Sequence, residues 1–316
     1  MKIALLDDYQ GVALSSADWS AVHAKAAVTV FRDTIVDPDA LVARLCDFEV
    51  VCIMRERTPF PRALLERLPK LKLLVTTGHR NASVDVAAAK ELGIAVSGTP
   101  SSAHAAAELT WALIMAAARR LDMENRSFRA GGWQAGLGRD LNGATLGVVG
   151  LGRLGSLVAG YGRAFGMRVV AWSQNLTPAR AAECGAEAVE KDTLFGQADF
   201  ITLHLKLSER SRGLVGAREL ALMKPDAWLV NTSRGPIVDR SALLAALEAE
   251  RIGGAALDVF DEEPLPADDP LRRLDNVVGT PHIGYVSREN YRTMYRVTAD
   301  NVLSFLDGRP QNLIEP

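Results

Sequence analysis

Residues 147–156 read GVVGLGRLGS, and Gly150, Gly152 and Gly155 fall in the G-x-G-x-x-G spacing. An apolar run, 145–149, precedes them and a helical pattern, 154–165, follows. A parallel strand, a tight turn and a helix accommodate that order, with a separate job for each glycine. Gly150 makes the turn, Gly152 lets backbone approach a pyrophosphate, and Gly155 allows close packing of helix on strand. Unsatisfied N–H groups at the helix start, with the positive end of its dipole, favour phosphate there. A glycine-rich strand–helix turn also occurs as plain structure. Strand before and helix after point instead to a dinucleotide site.

Downstream the strand–helix rhythm continues, with expected strands at 145–149, 168–172, 200–203, 228–231, 254–258 and 277–279. Six strands with intervening helices match a dinucleotide-binding domain of two halves. Upstream lies a smaller α/β unit, with expected strands at 2–6, 28–31, 50–54, 73–76 and 95–97 and helices at 38–44, 61–68 and 84–92. It has no G-x-G-x-x-G of its own. Between the two, a helix runs without glycine or proline from Ser101 or Ser102 to Leu121. Residues 122–144 then read as an arm carrying Trp133, either a surface loop or a dimer-forming extension. An amphipathic helix at 287–307 follows the sixth strand with no sheet of its own to cover, and is expected to cross back to the N-terminal unit. The fold class expected is α/β, two Rossmann-like doubly wound domains. Their boundaries are 1–100 plus 287–316 for a flavodoxin-like unit and 101–286 for the dinucleotide-binding unit, with the arm at about 120–144.

Composition excludes several classes. A chain of 316 residues with formal net charge −2 carries no basic footprint for nucleic acid. No apolar run approaches the ~18 residues needed to span a bilayer. The apolar start is cut short by Asp7 and Asp8, too soon for a signal peptide. Three cysteines without metal-ligand spacing fit a reducing compartment, so the expectation is a cytoplasmic protein with no metal.

Three late strands each run into a polar cluster: Arg234 after VNTS, Asp261-Glu262-Glu263-Pro264 after ALDVF, and His282 after VVGTP. Parallel strands put these ends on one edge, where ligands of doubly wound sheets sit. Arg234 offers a planar, permanently charged fork for a carboxylate and can polarise an adjacent carbonyl. An imidazole such as His282 exchanges protons near neutrality. Glu263 beside it would favour imidazolium and fix its orientation. Hydride transfer to a 2-keto acid is the chemistry this set suggests.

These blocks, with WALIMAAARR and RAGGWQ, resemble the D-isomer-specific 2-hydroxyacid dehydrogenase family over nearly the whole chain. The matching stretches are 147–155, 222–239, 253–266 and 280–284. The resemblance implies that Arg234 binds and polarises substrate, Glu263 supports the histidine, and His282 is the general acid/base. It puts Arg153 and Leu154 at the pyrophosphate turn. Thr232, Ser233, Arg234, His282 and Gly284 fall on the nicotinamide side, with Asp258 approaching the carboxamide. It further implies a substrate domain built from the N-terminal unit and last helix, a cleft closing over substrate, and a homodimer made by the arm. The partner is a small 2-keto or D-2-hydroxy acid. Corepressors of the family use the same fold as a nucleotide-sensing binding module, and they keep the same three residues.

Two departures stand out. The second strand of the dinucleotide unit ends AWSQNL, placing Ser173 where an acidic residue normally meets the ribose 2′-hydroxyl. The cofactor is therefore NAD(H) or NADP(H), the phosphorylated form being more plausible than in an aspartate-bearing relative. The loop that often reads G-x-G-x-D-N-[VI]-D is GHRNASVD at 78–85. Backbone N–H groups near Gly78 are expected to hold a carboxylate, and Arg55 or Arg80 to meet a polar or anionic tail on the substrate.

Overall fold

The computed structural model describes residues 1–316, which fold as two compact units, Met1–Ser102 with Val286–Pro316, and Ala103–Tyr285. The first carries strands β1 (Lys2–Leu5), β2 (Ala27–Val30), β3 (Val50–Ile53), β4 (Leu73–Thr76) and β5 (Ala95–Gly98). All pair in parallel in the order β2-β1-β3-β4-β5, the flavodoxin-like order. β3 (VVCI) and β4 (LLVT) are buried at every position, as parallel strands covered on both faces require. Phe60, Leu65, Leu74 and Ala88 lie in the core between sheet and helices.

Local chemistry starts those helices. Asp37 accepts from Ala40 N ahead of the helix Pro38–Leu45, and Asp85 accepts from Ala88 N ahead of Val86–Glu91. The 19-residue helix Arg288–Leu306, capped by Ser287, belongs to this unit and packs on β4. Beyond it the chain lies antiparallel along β5: Gly98 N donates to Asn312 O at 2.9 Å and Ile314 N to Val96 O at 2.8 Å. The sheet edge is thereby covered.

The second unit carries β6 (Thr145–Val149), β7 (Arg168–Trp172), β8 (Glu187–Ala188), β9 (Phe200–Leu203), β10 (Trp228–Asn231), β11 (Gly254–Leu257) and β12 (Val277–Gly279). The order β12-β11-β10-β9-β6-β7-β8 is wholly parallel and doubly wound about the β6/β9 switch point. Each face buries its own apolar cluster, one around Phe195 and Leu229, the other around Leu146 and Ile114.

The structure corrects the sequence expectation in three places. The unit has seven strands, because the two-residue β8 pairs only with β7 and is too short to leave a pattern. The long helix ends at Ala118, not Leu121, and Arg120 turns left-handed (φ 49°). Its end comes from elsewhere in the chain: Arg139 N, on the returning segment, takes the Ala118 carbonyl at 2.8 Å. The arm, for which a surface loop is one expectation, begins as a second helix, Leu121–Arg129, with acids in its first turn and arginines in its last.

Candidate active site

At the end of β6, Gly150 has φ +98°, and a Cβ there would stand 2.7 Å from the His204 carbonyl oxygen. A Cβ at Gly155 would stand 2.1 Å from the Gly150 carbonyl oxygen, so turn and helix meet where no side chain fits. At Gly152 the same position is open, with nothing within 4 Å. The helix Arg153–Ala164 starts there without a side-chain cap. Arg153 and Leu154 open its first turn, whose amides no side chain satisfies, in front of empty space. That cradle fits a diphosphate. Ser173, half-buried, directly follows β7, and no carboxylate lies in 173–177. His204 follows β9 beside the turn; burial pushes its pKa down to about 4, so its ring is neutral. Its Nε2 lies 3.0 Å from Thr202 Oγ1 and its buried Nδ1 has no partner.

After β10 the buried Asn231 folds the chain on itself, accepting from Ser233 N at 3.0 Å and donating to Arg234 O at 2.9 Å. Ser233 Oγ donates to Leu203 O at 2.7 Å. Thr110 gives its proton to Ala106 O at 2.8 Å and lies 2.7 Å from Thr232 Oγ1. Thr232 is therefore the donor of that pair, and its oxygen offers lone pairs to any further partner. Arg234 donates from Nη1 to Ser233 O at 2.7 Å. A Cβ at Gly235 would stand 2.2 Å from the Phe260 carbonyl carbon, so this loop lies against the one after β11.

Asp258, just past β11 and 1 % exposed, accepts from Thr280 Oγ1 at 2.7 Å, Ile283 N at 2.7 Å and Gly284 N at 2.8 Å. Burial raises its carboxyl above the ordinary range, against those donors and His282. The carboxylate approaching the nicotinamide in the sequence reading is thus also the clasp of the histidine loop. Within that loop His282 is left-handed (φ 52°), uncommon for a non-glycine residue. Its Nδ1 lies 2.5 Å from Glu263 Oε2, while Glu263 Oε1 accepts from Phe260 N at 2.9 Å. The Tyr285 ring stands edge-on to the imidazole at 5.8 Å. Arg234, Glu263 and His282 thus stand on neighbouring strand ends, with histidine and glutamate in direct contact.

In the N-terminal unit, Gly78 (φ +111°) follows β4. Its own N–H is spent on Thr99 Oγ1 at 3.0 Å, and its carbonyl accepts from Thr99 N at 3.1 Å. That amide is therefore already engaged within the loop. Arg55 Nη1 lies 2.0 Å from where a Gly78 Cβ would stand, and it donates to Thr77 O at 3.3 Å. Arg55 is itself left-handed (φ 55°). Arg80 is exposed on the same loop, its carbonyl 3.7 Å from that Cβ position. Asn231, Thr110 and Thr99 escaped the sequence reading, since only tertiary placement at a strand end marks them.

A cradle for a dinucleotide beside an arginine and a histidine–glutamate pair defines a nicotinamide-dependent oxidoreductase. The model of the NAD-binding domain of D-isomer specific 2-hydroxyacid dehydrogenases matches residues 111–284. Glyoxylate reductase from Thermococcus litoralis is 40% identical over 296 residues, 90% of this chain and 86% of that protein. Among solved structures, phosphoglycerate oxidoreductase from Vibrio cholerae superposes with TM-score 0.92 at 40% identity, covering 98% of this chain and 99% of that one. D-lactate dehydrogenase from Escherichia coli gives TM-score 0.83 at 27% identity, covering 99% and 100%. The chain belongs to the D-isomer-specific 2-hydroxyacid dehydrogenase family, with NAD(H) or NADP(H) as cofactor. No helix is long and apolar enough to cross a membrane.

Proposed function

We propose that the protein interconverts a small 2-keto acid and its D-2-hydroxy acid, with Arg234 binding substrate and His282–Glu263 moving the proton. What carries this reading is the 2.5 Å contact between His282 Nδ1 and Glu263 Oε2 in a loop held by Asp258. With Nδ1 on the carboxylate, Nε2 is the ring nitrogen that faces proton exchange. In reduction, imidazolium gives its Nε2 proton to the carbonyl oxygen while Glu263 stabilises the charge. In oxidation, neutral imidazole takes the hydroxyl proton back. The nicotinamide ring, when bound, supplies or accepts the hydride. Arg234 pairs with the substrate carboxylate and draws electron density from the adjacent carbonyl. Thr232 and Asp258 offer acceptor lone pairs to the carboxamide, and Gly284 holds the loop beside it.

The names of the relatives support glyoxylate and a phosphorylated three-carbon acid as first substrates to try. Arg55, whose guanidinium lies against Gly78, and Arg80, exposed two residues on, favour a second anionic group. Ser173 leaves NADPH acceptable. Exposed Trp133 (79 %) and Leu137 (91 %) support a homodimer formed through that segment, and the three free cysteines support a reducing, cytoplasmic setting.

The test is oxidation of NADH and of NADPH against a panel of 2-keto acids, with His282→Ala as matched control. The variant is expected to lose about 10²–10⁴-fold in kcat while still binding dinucleotide. Silence of the wild-type protein across the panel, with dinucleotide bound, would favour the binding-module alternative.

A further inference from the structure

The Arg55 turn is held from outside by groups with no part in the chemistry above. Its backbone N–H donates to Thr77 Oγ1 at 2.9 Å, and its carbonyl accepts from Asn81 Nδ2 at 2.6 Å. Asn81 also donates to Thr76 Oγ1 at 2.9 Å, so it straddles the end of β4. The turn closes through Arg57 N to Met54 O at 3.3 Å. Its far end, Thr58, is buried and gives its hydroxyl proton to Asp7 Oδ2 at 2.8 Å. Asp7 follows β1, is 1 % exposed and is left-handed (φ 60°). Its other oxygen accepts from Thr34, which accepts in turn from Tyr9 Oη at 2.5 Å. The Arg57 guanidinium lies over the Tyr9 ring at 5.1 Å and its charge also faces Asp7.

A non-glycine residue in the left-handed region costs energy and persists only where its surroundings over-determine it. Asp7 and Arg55 both adopt that region, at the ends of adjacent strands on either side of the sheet's β1/β3 switch point. The hydrogen bonds along this path are buried at Thr58 and half-buried at Arg55, and the charges on it are the Asp7 carboxylate, faced by Arg57, and the Arg55 guanidinium, whose Nε lies 3.6 Å from Glu56 Oε2. We infer that Asp7, through Thr58, is a positioning residue for substrate selectivity: it locks the Arg55 turn so that the guanidinium lies over Gly78. This rests on the reading that Arg55 meets a second anionic group of the substrate. Asp7 touches neither substrate nor cofactor. Loosening the lock should weaken capture of the anionic tail and leave proton transfer and hydride transfer alone.

The experiment compares KM for 3-phosphohydroxypyruvate, which has such a tail, with KM for glyoxylate, which has none, at saturating NADH. Thr58→Val removes the hydroxyl without changing the shape of the side chain, Thr58→Ser keeps it, and Asp7→Asn alters the acceptor. Thr58→Val and Asp7→Asn are expected to raise KM for the tailed substrate about three- to tenfold, the worth of one hydrogen bond. KM for glyoxylate, kcat and KM for NADH should stay at the wild-type values, as should everything in Thr58→Ser. Arg55→Gln is the reference variant. If Arg55→Gln changes the KM ratio and both Thr58→Val and Asp7→Asn leave it unchanged, the positioning role is overturned and the Arg55 reading stands. If Arg55→Gln leaves the ratio unchanged, the Arg55 reading falls and the positioning role falls with it. Equal loss on both substrates in Thr58→Val would also overturn it, since that is the mark of general loosening.

Discussion

Asp258 and Asp7 occupy comparable positions in two different sheets. Each follows a parallel strand, each is 1 % exposed, and each accepts a threonine hydroxyl. Each also ties down a loop whose functional side chain sits on left-handed backbone, His282 in one and Arg55 in the other. The remaining donors differ. Asp258 takes two main-chain amides of the histidine loop itself, at 2.7 and 2.8 Å. Asp7 takes only hydroxyls, from Thr58 and Thr34, which are rotors on side chains. An amide clasp fixes the path of the backbone directly, whereas a hydroxyl clasp fixes it through a torsion that can turn. The histidine, proposed to move the proton, has the stiffer clasp. The arginine, proposed to read a substrate tail, has the softer one.

The comparison breaks most easily at Asp258. Asp258→Asn keeps one acceptor oxygen where the loop needs two, so a buried amide of the loop loses its partner. We expect kcat to fall roughly 10- to 100-fold, since a small misplacement of a catalytic group costs that much. The KM ratio of tailed to untailed substrate should not move. A fall no larger than in Asp7→Asn would erase the difference between the clasps.

Gly78→Ala sharpens the other side. The new Cβ would stand 2.0 Å from Arg55 Nη1, so the guanidinium must leave. KM for a tailed keto acid should rise about tenfold, the loss of a charge-assisted hydrogen bond. KM for glyoxylate should change much less; an equal rise on both substrates would argue that the glycine serves only the loop.

The smallest effect is on stability against pH. Burial raises the carboxyls of Asp7 and Asp258 above the ordinary carboxylate value of about 3.9. The folded chain therefore holds those protons more tightly than the unfolded one. Stability from this source is present below about pH 3.9 and is lost as pH rises through each raised value. Urea titrations between pH 4 and pH 7 should show a flatter dependence in each asparagine variant than in the wild-type protein. An unchanged slope would mean that neither carboxyl contributes to it.

Legibility in the sequence follows the range of the interactions involved. The G-x-G-x-x-G turn is readable because its three constraints lie within six residues. Strands β3, β4 and β9 are readable because burial on both faces makes each a continuous apolar run. The polar blocks after β10, β11 and β12 are readable because a parallel sheet delivers strand ends to one edge. The end of the helix at Ala118 was not, since its cap arrives with Arg139 from the returning chain. Neither clasp was legible: a first strand cut short by Asp7 gives no sign that Thr58, 51 residues on, will meet it. The family resemblance implies a cofactor contact for Asp258, and nothing local says that its oxygens also hold Ile283 and Gly284. The loss of the Gly78 amide to Thr99 is likewise a tertiary fact.

The central claim is that His282 and Glu263 act as one acid/base unit, and a double-mutant cycle on kcat tests it most directly. With glyoxylate or the best keto acid of the panel, Glu263→Gln is expected to lower kcat about 10²-fold and His282→Ala by more. In the double variant the second substitution should cost almost nothing further, because residues acting as a unit are not additive. Losses that multiply in the double variant would contradict the account, and would make the 2.5 Å contact a structural tie alone.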